Sequence, residues 1–182
     1  NFRSRLDDAP VSRSDALTGP ALPVGPLAPE QIKEILESQT YEELTIEFDI
    51  HERILWYFMS PVSRPSATVG LMHDIKRLQA LVRTIFDAHN NPTDPPIRYM
   101  ALSSRMPGIF NLGGDLALFA QLIRERNRDA LERYSRLSID VIHANSASLD
   151  LPLVTASVVQ GDALGGGFEA ALSSNLIIAE KS

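Results

Sequence analysis

Cysteine does not occur in the 182 residues, which excludes disulfides, thiolate metal sites and a cysteine nucleophile, and suits a reducing compartment. Basic residues are in deficit. Against 23 Asp and Glu stand 17 Lys and Arg, a formal charge of −6, which argues against a nucleic-acid binder that works by neutralising phosphates. The longest apolar runs are far too short to span a bilayer. No basic stretch followed by an apolar core opens the chain in the manner of a secretory leader. A cytoplasmic setting without membrane or nucleic-acid partners is therefore expected. Glycine is scarce as well, at ten residues, yet four of the ten fall within positions 161–167. Glycine so concentrated marks backbone that must approach something closely or adopt positive φ.

What is present builds a core. Hydrophobic residues make up 44% of the chain, enough for one domain of this length. Residues 1–29 are the exception: Pro10, Pro20, Pro23, Pro26 and Pro29, with Gly19 and Gly25 and no periodic apolar face, read as a flexible tail or linker. The domain is expected over 30–182. The chain opens on Asn1 rather than Met and closes on Ser182 directly after an apolar run, so it is expected to be part of a longer polypeptide.

Periodicity supplies the elements. A short helix follows Pro29, through Glu30 to Leu36. Leu44, Ile46, Phe48 and Ile50 alternate with polar residues as in a half-buried strand, and Ile54–Met59 reads as a second strand antiparallel to it. After the loop 60–66, Leu71, Met72, Ile75, Leu78, Leu81, Val82 and Ile85 recur at helical spacing until His89-Asn90-Asn91-Pro92 ends the helix. Ile97–Leu102 reads as a strand and Ser103–Leu112 as a loop. Asp115 opens an amphipathic helix carrying Leu116, Phe119, Leu122 and Ile123. A further helix spans roughly 128–145, with Leu131, Tyr134, Val141 and Ile142 inward. Leu153–Val159 reads as a continuous apolar strand, a helix starts near Gly166, and Asn175–Ala179 is the last strand. Strands and helices alternate throughout, so the class is α/β.

Two loops share one design. Phe110-Asn111-Leu112-Gly113-Gly114-Asp115 and the segment Gly161 to Glu169 each follow an apolar strand, carry adjacent glycines and run straight into a helix. A glycine at a helix start leaves backbone N–H groups unpaired and uncovered, and the helix dipole adds partial positive charge. One such N–H can hold an anion or a carbonyl oxygen; two from separate loops aimed at one point make an oxyanion hole. The competing reading is a pair of tight strand-to-helix turns. Glu169 likewise has two readings: a first-turn carboxylate that favours the helix dipole, or a general acid–base facing the cavity the amides address.

Other constellations are weaker or absent. Gly165-Gly166-Gly167-Phe168-Glu169-Ala170 satisfies the G-x-G-x-x-A dinucleotide fingerprint, with Glu180 where a ribose-binding acid would stand. Against it, Gln160–Leu164 separates the strand from the glycines, and the acid comes early. There is no G-x-S-x-G elbow, no calcium-loop spacing and no G-x-x-x-x-G-K-[ST] phosphate loop. His51, His73, His89 and His143 are scattered without ligand spacing and read as surface or helix-end residues, so no metal is expected. Residues 124–129 read as a solvated junction between helices, and Arg64 as a surface arginine, with a phosphate contact as its alternative.

Through Phe110–Leu116 and Gln160–Leu172 the sequence resembles the crotonase (enoyl-CoA hydratase/isomerase) superfamily, over about 44–182. NLGGDLALFAQLIRERNRDALERY and VQGDALGGGFEAALSSNLIIAE look more specifically like the bacterial diffusible-signal-factor synthases, crotonase-fold enzymes that make cis-2-unsaturated fatty acids for cell-to-cell signalling. The resemblance implies a spiral of ββα units truncated at its C-terminal end, without the family's later helices and second catalytic glutamate. It implies that the N–H groups of Gly114 and Gly166 form an oxyanion hole for an acyl thioester and that Glu169 is the first catalytic glutamate. Gly113, Asp115, Leu116 and Gly165 would surround the substrate. The activity implied is enoyl-CoA hydratase or 3-hydroxyacyl dehydratase, with thioester hydrolysis at the same hole. A generic hydratase of fatty-acid metabolism and a non-catalytic acyl-binding or regulatory protein are the alternatives. The implied substrate carrier is CoA or acyl-carrier protein, with no separate cofactor. The implied assembly is a homotrimer or dimer of trimers, with a sensor protein as a candidate signalling partner.

Overall fold

The computed structural model describes residues 25–91 and 93–181. Most of the Pro-rich tail therefore lies outside the described residues. Its last five residues do not hang free: Leu27 is buried and donates its N–H to His89 Nδ1 at 3.1 Å. With Nδ1 accepting, the His89 Nε2–H donates to the Asp94 carbonyl at 2.9 Å.

Helix α1 (Pro29–Glu37) starts with proline at its first position, where no N–H is needed. It lays Ile32 and Leu36 against the sheet. Strands β1 (Leu44–Asp49) and β2 (Ile54–Met59) form the expected antiparallel hairpin, in the register Leu44 opposite Met59 and Asp49 opposite Ile54. Its turn is tied by Asp49 Oδ1, which accepts the N–H groups of His51 and Glu52. Helix α2 (Val69–His89) is capped at its start by the Thr68 hydroxyl accepting from Leu71 N, and ends at Asn90 in the left-handed conformation, φ 46°. Strand β3 (Tyr99–Ser104) comes next and runs parallel to β2.

Between β3 and the next long helix the structure departs from the sequence reading twice. Within the expected loop, Ile109–Asn111 forms a short strand, β4. Helix α3 (Leu116–Arg124) buries Leu118 and Leu122, while Leu116 and Ile123 lie 75% and 63% exposed. The inward face is thus the one that meets α2 and helix α4 (Arg128–Ser146), in a small cluster of Val69, Met72, Leu118, Leu122, Ala130, Tyr134 and Leu137. A single 3-10 turn at Ser148–Asp150 leads to strand β5 (Val154–Val159).

Strand β5 is less apolar than expected inside. Thr155 and Ser157 are fully buried and spend their hydroxyls on the Asn145 carbonyl, Asn175 and Ser174. After it come the two-residue strand β6 (Asp162–Ala163), helix α5 (Gly166–Leu172) and strand β7 (Leu176–Ala179).

The main sheet has the order β1-β2-β3-β5-β7, parallel except for the first pair. The main core lies between it and helices α1 and α2, around Leu55, Leu78, Leu81, Val82, Ile85, Ile97 and Met100. Strands β4 and β6 pair in a separate two-stranded sheet. That pairing clamps the loop after β3 to the loop after β5. Among the described residues no helix is long and apolar enough to cross a membrane.

Candidate active site

Strands β3 and β5 are parallel neighbours, so the chain leaves both at the same end of the sheet, where ligands of open α/β sheets collect. The β4–β6 pair then holds the two exits together: Asp162 N donates to Gly108 O, and Leu164 N to Asn111 O, each at 2.9 Å. Side chains could not fit at this seam. A Cβ on Gly113 would stand 2.6 Å from the Leu164 carbonyl oxygen, and Gly113 itself has φ +85°. A Cβ on Gly167 would overlap the Asn111 carbonyl. These contacts decide between the two sequence readings of Gly113 and Gly167: tight turns and close approach do require glycine there.

Gly114 and Gly166 are different. In the first loop, the N–H of Leu112 goes to Pro65 O, that of Gly113 to Asn111 Oδ1, and that of Asp115 to the Tyr134 hydroxyl at 3.1 Å. In the second, Gly167 N donates to Leu164 O, and Phe168 N and Glu169 N donate to Gly165 O. The amides on either side are thus committed. Among the described residues, no acceptor takes the N–H of Gly114 or of Gly166. The two glycines are also in contact, since a Cβ on Gly166 would lie 3.6 Å from Gly114 N.

Both glycines line one cavity of about 380 Å³, and Glu169 lines it too. The geometry of α5 explains the juxtaposition: Glu169 stands three residues after Gly166, one helical turn on and on the same face. The Glu169 residue is exposed, so it meets the cavity from its open side. The remaining wall is mostly apolar, with Leu71, Met72 and Ile75 from α2, Leu102 from β3, and Ile139, Val141 and Ile142 from α4. Glu169 is the one carboxylate in the lining among the described residues.

Tyr134 anchors the first loop, a task the sequence does not reveal beyond an inward-facing position. Its hydroxyl accepts from Asp115 N and donates to Ala67 O at 2.6 Å. Burial pushes the phenol pKa up, which keeps the proton that the second bond needs. The Phe119 ring stands edge-on to Tyr134, centroids 4.9 Å apart, and backs Gly114. Asn111 bridges the loops, its side chain accepting from Gly113 and its carbonyl from Leu164. The signal for Asn111 is local: a short amide side chain just before a glycine pair favours a turn onto its own backbone.

Four sequence candidates stand outside the cavity lining. Gly113 is the seam residue described above, and Gly165 precedes α5 with φ +49°. Asp115 caps α3 by accepting from Leu118 N and pairs with Arg64 at 3.0 Å, so both charges are spent on each other. Leu116 points to solvent. Of the four histidines, none joins a group of acids and histidines able to hold a metal among the described residues.

The sequence matches no protein-family model and no curated protein. Solved structures do resemble it. Pseudomonas aeruginosa DspI superposes with a TM-score of 0.61 at 19% identity, over 80% of this chain and 53% of its own. Enoyl-CoA hydratase from Bacillus halodurans gives 0.62 at 17% identity, over 76% and 50%. A methylmalonyl CoA decarboxylase gives 0.56 at 18% identity, over 78% and 46%. The fold is that of the crotonase superfamily. The chain spans about half the length of these structures.

Proposed function

We propose that this protein is an acyl thioester enzyme that adds water to, or removes it from, the Cα–Cβ bond of a CoA- or carrier-protein-bound acyl group. One observation carries the reading: the unpaired N–H groups of Gly114 and Gly166 border the same apolar cavity as Glu169. A thioester oxygen held by both donors gains charge as its α-carbon loses a proton, and fixed donors stabilise that charge without reorganising. In dehydration the Glu169 carboxylate takes the proton from Cα, and electrons move onto the thioester oxygen as an enolate. When the enolate collapses, the Cα–Cβ double bond forms and the Cβ–O bond breaks. Glu169 returns its proton to the departing hydroxyl, which leaves as water. Hydration is the reverse, and one carboxylate serves both steps in turn.

The narrower reading is synthesis of a cis-2-unsaturated fatty acid signal, in which the hole then also serves hydrolysis. Water adds to the thioester carbonyl while Glu169 takes its proton, and the thiolate leaves with that proton as the free thiol. Support comes from the resemblance of residues 111–134 and 159–180 to the signal-factor synthases and from the likeness to DspI. A cytoplasmic setting and a trimeric or hexameric assembly belong to the same proposal, on the resemblance alone. The test is incubation of the purified protein with 3-hydroxyacyl-CoA thioesters. The expected result is a rise in conjugated enoyl thioester, with free thiol produced in turn if hydrolysis takes place. Neither product from any chain length would sink the reading.

A further inference from the structure

Gln79 sits in the wall of the cavity, 2% exposed, on the α2 face that otherwise carries Leu71, Met72 and Ile75. A buried polar side chain in an apolar wall costs stability unless its hydrogen bonds are made. Half of this amide is satisfied: Nε2 donates to the Val141 carbonyl of α4 at 3.1 Å. That bond fixes which way the amide faces. The other half, Oε1, accepts no hydrogen bond from any described residue. Nor is it sealed, since among the described residues only the Ser66 hydroxyl is both shut away and unpartnered. Oε1 is thus an unpartnered acceptor on a side chain that lines the cavity. Asn145, in the same cavity lining, spends its side chain on Tyr57, Ser173 and Ser174.

The position is as informative as the chemistry. Helices α2 and α4 run side by side in the same direction. They are joined at the glycine end through Tyr134 and Ala67, midway by Ser138 and Met72, and further on by Gln79 and Val141. Gln79 lies eight residues beyond Leu71, or about 12 Å along the helix. An acyl group with its thioester oxygen at Gly114 and Gly166 would therefore reach Gln79 with the far part of its chain.

We propose that Gln79 is a specificity-determining residue that makes this far end a subsite for a hydroxyl borne on the acyl chain. The inference rests on the acyl thioester reading above. A methylene chain laid against Oε1 strips its water and returns no hydrogen bond, whereas a hydroxyl returns one. A ketone oxygen does not help, because Oε1 can only accept. The subsite therefore distinguishes a donor from an acceptor of nearly equal size.

Calorimetric binding of free fatty acids tests this without requiring turnover. Three acids of one length are compared: unsubstituted, with a hydroxyl in the distal half, and with a ketone at the same carbon. The distal hydroxy acid binds about tenfold more tightly than the other two, the worth of one hydrogen bond, and an acid hydroxylated at C3 gains none of this. In Gln79→Met the preference disappears while the unsubstituted acid binds at least as well. Equal binding of hydroxy and keto acids by the unmodified protein overturns the proposal, as does a preference that survives Gln79→Met. Should that variant fail to fold, the hydroxy–keto comparison on the unmodified protein decides alone. Failure of every acid to bind overturns it too, whereas absence of thioester turnover with a hydroxyl preference intact removes only the catalytic reading.

Discussion

On the proposed chemistry, replacing Glu169 by Gln is expected to lower kcat/KM for dehydration of a 3-hydroxyacyl thioester by about 10²- to 10⁴-fold, the range a positioned acid–base supplies. The size of the loss comes from the cavity's inventory. Glu169 is the one carboxylate in the lining among the described residues, and Tyr134 and Asn145 in the same lining are engaged, the one with Ala67 and Asp115, the other with Tyr57 and the serines. No neighbour stands ready to take over the proton. Glutamine keeps the size and the hydrogen-bonding reach of the side chain, so binding of substrate should change little and the loss should fall on kcat. A variant that turns over at the unmodified rate shows that the carboxylate has no part in the chemistry.

Gly114→Ala costs about 10²-fold in kcat/KM through a different route. The amide donor itself remains, but a methyl at this position would come to 3.0 and 3.1 Å from the Phe119 ring. That is too close, so either the ring or the loop must give. The ring stands edge-on to Tyr134, whose hydroxyl holds the Asp115 N–H, so a ring that gives way shifts the anchor of the Gly114 peptide, whose other side is held by Ala67 N on the Gly113 carbonyl. Displacing one donor of a pair costs about 10²- to 10³-fold elsewhere. The mechanism makes a second expectation: shortening Phe119 to Leu in the same molecule opens the space and restores most of the rate. If the double variant is no better than Gly114→Ala, the loss does not come from the ring.

Much of the scaffold is legible in the sequence because it is locally encoded. The β1–β2 hairpin shows a period of two, and α2 repeats apolar residues at helical spacing from Leu71 to Ile85. The start of α5 at Gly166 can be read from the glycines themselves. What escapes is encoded at a distance. Strands β4 and β6 are three and two residues long and exist only by pairing across some fifty residues of chain; neither segment has a pattern of its own. The inward face of α3 is misread because Leu116 and Leu122 look equivalent in sequence, whereas packing on α2 and α4 selects Leu118 and Leu122. Asp115 and Leu116, assigned to the candidate site by resemblance, stand outside the cavity lining, the one as the cap of α3 and the other exposed. Tyr134 and Gln79 give no sign of their roles, since each depends on what another helix or loop brings opposite.

The proposed chemistry stands on two unpaired amides sharing one oxygen. An amide NMR titration of the protein with a saturated acyl-CoA thioester, which binds but cannot react across Cα–Cβ, reads this directly. The Gly114 and Gly166 amide protons should move downfield together and saturate at the same concentration, while the paired Gly113 and Gly167 amides move less. A shift at one of the two glycines alone, or two shifts that saturate at different concentrations, would contradict it.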